Sequence, residues 1–145
     1  MQNLPHHYFA KAAAPAEGHI NLSSQGLTDI ESAGPAEFGG PGDLWSPETL
    51  LVAAIADCFI LTFRAIARAS KLEWVDLTCT VEGVLDRVDK VTQFTEFKLR
   101  VVLDVPSDAD ELKSMRLLEK AEAACLITNS MKSAVHLEAE IRKAN

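Results

Sequence analysis

The chain is short of positive charge, with 14 Lys and Arg against 21 Asp and Glu and a net charge of −7 at pH 7. No basic cluster offsets that deficit, which argues against nucleic acid and against an anionic membrane surface as partners. Cysteine is scarce, at three residues in 145. Three thiols do not make a disulfide framework, so reactive or simply buried thiols are expected. The opening residues, Met1-Gln-Asn-Leu-Pro-His-His-Tyr8, hold no basic segment leading into an apolar one. No signal peptide is read there, and a cytoplasmic location is expected. His6, His7, His19 and His136 fall at no metal-ligand spacing with Cys or Asp, so no metal is expected. Gly39, Gly40 and Gly42 are not followed by the Lys-Ser/Thr of a phosphate loop. The stretch from Asp104 to Asp110 matches neither a calcium loop nor a catalytic acid pair, and helix capping explains it better.

What is present is an ordinary globular composition, 48% hydrophobic and 24% charged. One domain over 1–145 is expected. The most informative stretch is Ser46-Pro-Glu-Thr-Leu-Leu-Val-Ala-Ala-Ile-Ala-Asp-Cys58. Ser46 suits an N-cap, Pro47 the first helical position and Glu48 the first turn. From Leu50 to Leu61 the only charge is Asp57. A helix apolar on every side is expected to be buried on every side. Cys58 then sits deep in the protein or on the floor of a pocket. As a residue it is either a small core hydrophobe or a reactive thiol. Asp57, Thr62 and Arg64 interrupt the run to Ile66, which makes it a poor membrane span.

The other elements follow from pattern. Gly18–Ser23 and Leu27–Ser32 read as short extended pieces, and Phe38–Gly42 as a loop. The first helix is expected from Pro47 to about Ser70. Val75–Leu85 and Thr92–Val105 alternate as strands of an antiparallel hairpin, joined by a polar loop over Asp86–Val91. In the second strand Phe94 is set against Phe97 on the opposite face. Ser107 is expected to cap a second helix from Asp108 to Ala124, with Leu112, Met115 and Leu118 on one side. Ala134–Ile141 alternates again, with His136 facing outward. Cys79, between Leu77 and Val81, reads as core or half-buried. Trp45 either lines a pocket mouth or packs against the first helical turns. The order gives an α+β fold with a mainly antiparallel sheet packed on the buried helix.

Together, Ser46-Pro-Glu-Thr-Leu-Leu…Ala-Asp-Cys58 and Ala121-Glu-Ala-Ala-Cys125-Leu-Ile-Thr-Asn-Ser130 resemble the OsmC/Ohr family of osmotically inducible and organic hydroperoxide resistance proteins. The Gly-rich loop at 38–42 fits the same pattern. The resemblance covers 36–141 as the core of the domain and the strands of 1–35 more loosely. It implies an intertwined homodimer and a thiol peroxidase for organic hydroperoxides. By motif, Cys58 is the peroxidatic cysteine and Cys125 the resolving one. Glu48 looks like the glutamate that helps hold a catalytic arginine. The implied cycle passes through a sulfenic acid and a disulfide, and it needs no metal and no organic cofactor. A dithiol, by resemblance a lipoylated protein, is the implied reductant. The other reading is a non-enzymatic dimer of the same fold that binds a small apolar ligand or senses redox state.

Helix rise adds a constraint. Glu48 and Cys58 are ten residues apart, roughly 15 Å along one helix, beyond the reach of a glutamate. If Glu48 has the role that the resemblance implies, it most easily serves the Cys58 of another subunit. The thiol needs a positive partner, yet residues 1–45 hold no arginine, only Lys11 and, among polar candidates, His19. Arg64 and Arg68 are on the helix of Cys58 but off its face, so either Arg64, Arg68 or Arg87 reaches in from elsewhere, or activation of the thiol is weaker than in the typical peroxidases of the family.

Overall fold

The computed structural model describes all residues, Met1–Asn145. The chain divides into two compact units, Met1–Leu50 and Leu51–Asn145.

The first unit is a small antiparallel sheet of β1 (Lys11–Ala13), β2 (Ile20–Ser23) and β3 (Ile30–Ser32), in that order. β1 falls on an Ala run that carries no alternation, so nothing in its side chains announced a strand. β2 and β3 occupy the later parts of the two expected extended pieces. After a 3₁₀ turn at Ala36–Phe38 the chain returns to β3, where Ala33 N–H donates to Trp45 C=O at 2.9 Å. Gly40 lies so close to the Gly34 carbonyl that a Cβ there would collide with backbone. The Gly-rich loop is thus required by a close backbone approach.

The long helix α1 (Pro47–Ala69) runs from the first unit into the second. Its cap is reciprocal: Thr49 N–H donates to Ser46 Oγ at 3.1 Å, and Ser46 N–H donates to Thr49 Oγ1 at 2.8 Å. The second unit also holds β4 (Asp76–Val88), β5 (Val91–Val105), α2 (Glu111–Ala124), the short α3 (Leu126–Asn129) and β6 (Ala134–Lys143). β4 and β5 pair antiparallel, whereas β5 and β6 pair parallel. The expectation of a mainly antiparallel sheet is corrected for this second ladder. The α2–α3 crossover carries the chain back to the end where β5 began, and a parallel strand requires such a return.

Inward residues of the sheet, among them Phe97, Leu99, Val101, Leu103 and Val105, meet Ile55, Phe59, Phe63 and Ala67 of α1. The α1 residues recur every four positions, which makes one stripe down the helix. Leu51, Val52, Ile60 and Ile66 flank the stripe half-buried against the core, but one side of α1 is not covered within the chain: Ala54, Asp57, Leu61, Arg64, Ala65 and Arg68 are exposed, Leu61 by 55%. The expectation of burial on every side fails for the single chain. By length and composition alone α1 could cross a bilayer, but here its stripe is packed into the core of the second unit.

Three further expectations are corrected. The β4–β5 connection is a tight turn at Asp89-Lys90, both at positive φ (50° and 69°), so the strands reach beyond the predicted loop. The pairing slips between Val84–Glu96 and Leu85–Phe94, leaving Thr95 as the extra residue of a bulge. Its hydroxyl donates to Val84 C=O at 3.3 Å. The bulge brings Phe94 and Phe97, expected on opposite faces, to 5.1 Å between ring centroids. Finally, α2 is capped by Asp110, whose carboxylate accepts from Lys113 N–H at 3.0 Å, and not by Ser107. Pro106–Ala109 first forms a turn, closed by Ala109 N–H on Pro106 C=O at 3.1 Å. The buried face of α2 is Ser114, Leu118 and Ala121, and Leu112 is 72% exposed.

Candidate active site

The site begins at the break between α2 and α3. Cys125 has extended backbone (φ −64°, ψ 110°) and ends one helix while opening the next. The residues after it hold the joint. Thr128 Oγ1 donates to Cys125 C=O at 3.1 Å, Asn129 Nδ2 to Ala123 C=O at 3.1 Å, and Ser130 Oγ to Leu126 C=O at 2.8 Å. The polar half of Cys-Leu-Ile-Thr-Asn-Ser is therefore spent on fixing this corner. The corner also frees backbone donors, because the first N–H groups of a helix have no partner within it. One of them, the Ile127 N–H, is close enough to the Cys58 sulfur to favour its thiolate.

Cys58 lies beside Phe59 at the edge of the buried stripe and is half-buried. Its sulfur is 3.9 Å from Thr62 Oγ1, one turn further along α1. The Cys125 thiol, itself wholly buried, is near enough to act on the charge of Cys58. Burial pushes the Cys58 thiol up from its ordinary range, and the neighbouring Cys125 adds to that. Ile127 N–H and the Thr62 hydroxyl pull the other way, and neither is a cation. Cys79, half-buried on β4, is pushed up to about 12, chiefly by burial and then by the charge of Cys125. All three cysteines are free thiols.

The structure thus brings Cys58 and Cys125 together, which sequence separation alone does not suggest. It does not bring Glu48 to them along α1, where ten residues of helix intervene. Glu48 stands in the first turn, and its Oε2 is buried without a hydrogen-bond partner. Arg64, Arg68 and Arg87 are exposed. Trp45 is 50% exposed and lines a shallow surface cleft with Leu44 and Thr49. His136 faces outward and reaches Glu96 at 3.3 Å. No group of three or more His, Cys, Asp or Glu side chains stands together as a metal site. Sequence reasoning missed Ile127 and Thr62. A backbone donor leaves no mark on residue type, whereas Thr62 was visible as a hydroxyl one turn after the cysteine.

Residues 40–140 match the family described as OsmC-like protein, and the chain belongs to that family. It is 30% identical over 139 residues to an uncharacterized protein, YmaD, of Bacillus subtilis, covering 93% of each chain. An OsmC-like protein of unknown function from Vibrio cholerae superposes with a TM-score of 0.83 at 21% identity, over 94% of this chain and all of that one. An organic hydroperoxide resistance protein OsmC from Legionella pneumophila superposes with a TM-score of 0.69 at 27% identity, over 96% of this chain and 98% of that one.

Proposed function

We propose that the protein is a thiol peroxidase for organic hydroperoxides that acts through Cys58 and Cys125. The observation that carries this reading is the pair itself: a half-buried thiol close enough to a wholly buried second thiol for each to act on the other's charge. The Cys58 thiolate attacks one peroxide oxygen. The S–O bond forms, the O–O bond breaks, and the alkoxide leaves as an alcohol after taking a proton from solvent. Cys125 then attacks the sulfenic acid, forming the disulfide and releasing water, which protects Cys58 from further oxidation. A dithiol, in a reducing cytoplasm a lipoylated protein, takes the oxidising equivalents and restores both thiols. The organic hydroperoxide resistance protein from Legionella pneumophila supports the substrate class. The apolar flank of α1 suits an organic peroxide tail.

The working unit in this reading is a homodimer. The uncovered apolar face of α1 supports it, and so does the unpartnered buried oxygen of Glu48. Glu48 then holds a cation at the Cys58 of the other subunit. The raised Cys58 thiol and the absence of arginine from residues 1–45 favour a second reading, a non-enzymatic dimer for a small apolar ligand.

Peroxide consumption by two variants separates the readings. Cys58→Ser removes all dithiol-dependent turnover of cumene hydroperoxide. Cys125→Ser allows one turnover and then leaves Cys58 as sulfenic or sulfinic acid. Wild-type protein that consumes no faster than Cys58→Ser rules the peroxidase out.

A further inference from the structure

Thr62 is the only hydroxyl between Leu50 and Ala69, in a helix otherwise built of Leu, Ala, Ile, Val and Phe with a few charges. A β-branched polar residue is a poor choice for such a helix interior. The usual compensation is for a mid-helix threonine to turn its hydroxyl back on the carbonyl four residues earlier. In this chain that carbonyl belongs to Cys58, and the Thr62 hydroxyl meets the sulfur of the same residue, at 3.9 Å. The backbone N–H of Ile127, in the first turn after the α2–α3 joint, also favours the thiolate of this residue. Two neutral groups thus bear on one sulfur, one fixed by backbone and one carried by a side chain.

We infer that Thr62 is a catalytic residue of this site, its hydroxyl donating to the Cys58 sulfur and favouring the thiolate that attacks the peroxide. The inference rests on the reading of Cys58 as the reactive thiol. Thr62 exchanges no electrons and no atoms with substrate: it shifts the balance between thiol and thiolate. The other groups that bear on this balance are Cys125 from the α2–α3 joint, with Cys79 of β4 behind it, and the exposed Asp57 preceding Cys58 on α1. A hydrogen bond to a thiolate also makes each thiolate less nucleophilic, so part of the gain is returned. The two effects separate along the pH axis.

The test is the pH profile of Cys58 alkylation by iodoacetamide, read by mass spectrometry on the Cys58 peptide so that Cys79 and Cys125 are counted separately. It needs no peroxide, and so it stands or falls independently of the peroxidase reading. Thr62→Val keeps the shape and loses the donor. It is expected to raise the midpoint by about half a unit to one unit and slow alkylation roughly two- to fourfold at neutral pH. At the alkaline plateau it matches or exceeds wild type. Thr62→Ser keeps the wild-type midpoint, which excludes a general loosening of the helix. A Thr62→Val midpoint equal to wild type, or the same shift in both variants, overturns the assignment.

Discussion

At Cys58 and Cys79 the same physical influence meets different surroundings. Both thiols are raised by burial, but only Cys58 has donors that oppose the shift, Ile127 N–H and the Thr62 hydroxyl. Cys79, pushed up to about 12, is a packing residue on the core side of β4. The shift has a stability consequence with a definite sign. Below pH 9, the ordinary value of the thiol, folded and unfolded chains both keep the Cys79 proton. Between there and about 12 the unfolded chain loses the proton and the folded one keeps it, so stability falls as pH rises. Thermal unfolding across the alkaline range should therefore show wild type losing melting temperature faster than Cys79→Ala. Parallel slopes would mean that the thiol is not held protonated. The half-buried reading of Cys79 was legible from its alternation with Leu77 and Val81. Its electrostatic link to Cys125 was not, because that depends on where a crossover places a residue far along the chain.

At the scale of elements, periodicity and caps located α1, the β4–β5 hairpin, α2 and β6, and missed where local chemistry overrides pattern. The Asp89-Lys90 turn is one such place. Two L-residues at positive φ lie in a conformation that costs each of them roughly 1–2 kcal/mol, and neither is Asn or Gly. The double substitution Asp89→Asn with Lys90→Gly should stabilise the protein by about 0.5–1 kcal/mol in urea unfolding, after the entropy of the added glycine is set against the relieved strain. A lower urea midpoint would show that the Asp89 and Lys90 side chains contribute more than backbone relief returns. The Thr95 bulge is a second such place. Simple alternation put Phe94 and Phe97 on opposite faces, and one extra residue reverses that. The cap of α2 is a third: Ser107 and Asp110 are both good capping residues, and the turn closed on Pro106 decides between them.

At the scale of the whole molecule, α1 connects fold and proposed function. Its stripe of Ile55, Phe59, Phe63 and Ala67 is consumed by the core of the second unit. The exposed side, with Leu61 and the Ala54 and Ala65 positions, is the face that the proposed dimer covers. Excess apolarity around the helix was legible in the sequence. That part of it is left over was not, because a hydropathy pattern does not distinguish burial by the same chain from burial by another. The cysteine pair was legible only as two motifs far apart in sequence, and the α2–α3 joint is what makes them neighbours. The most direct measurement is disulfide mapping by mass spectrometry on fully reduced protein, trapped at intervals after a modest excess of cumene hydroperoxide. A Cys58–Cys125 bond is expected to form before Cys79 is modified and to disappear on adding a dithiol. Protein that retains both thiols through the exposure, or that traps its first bond through Cys79, would contradict that expectation.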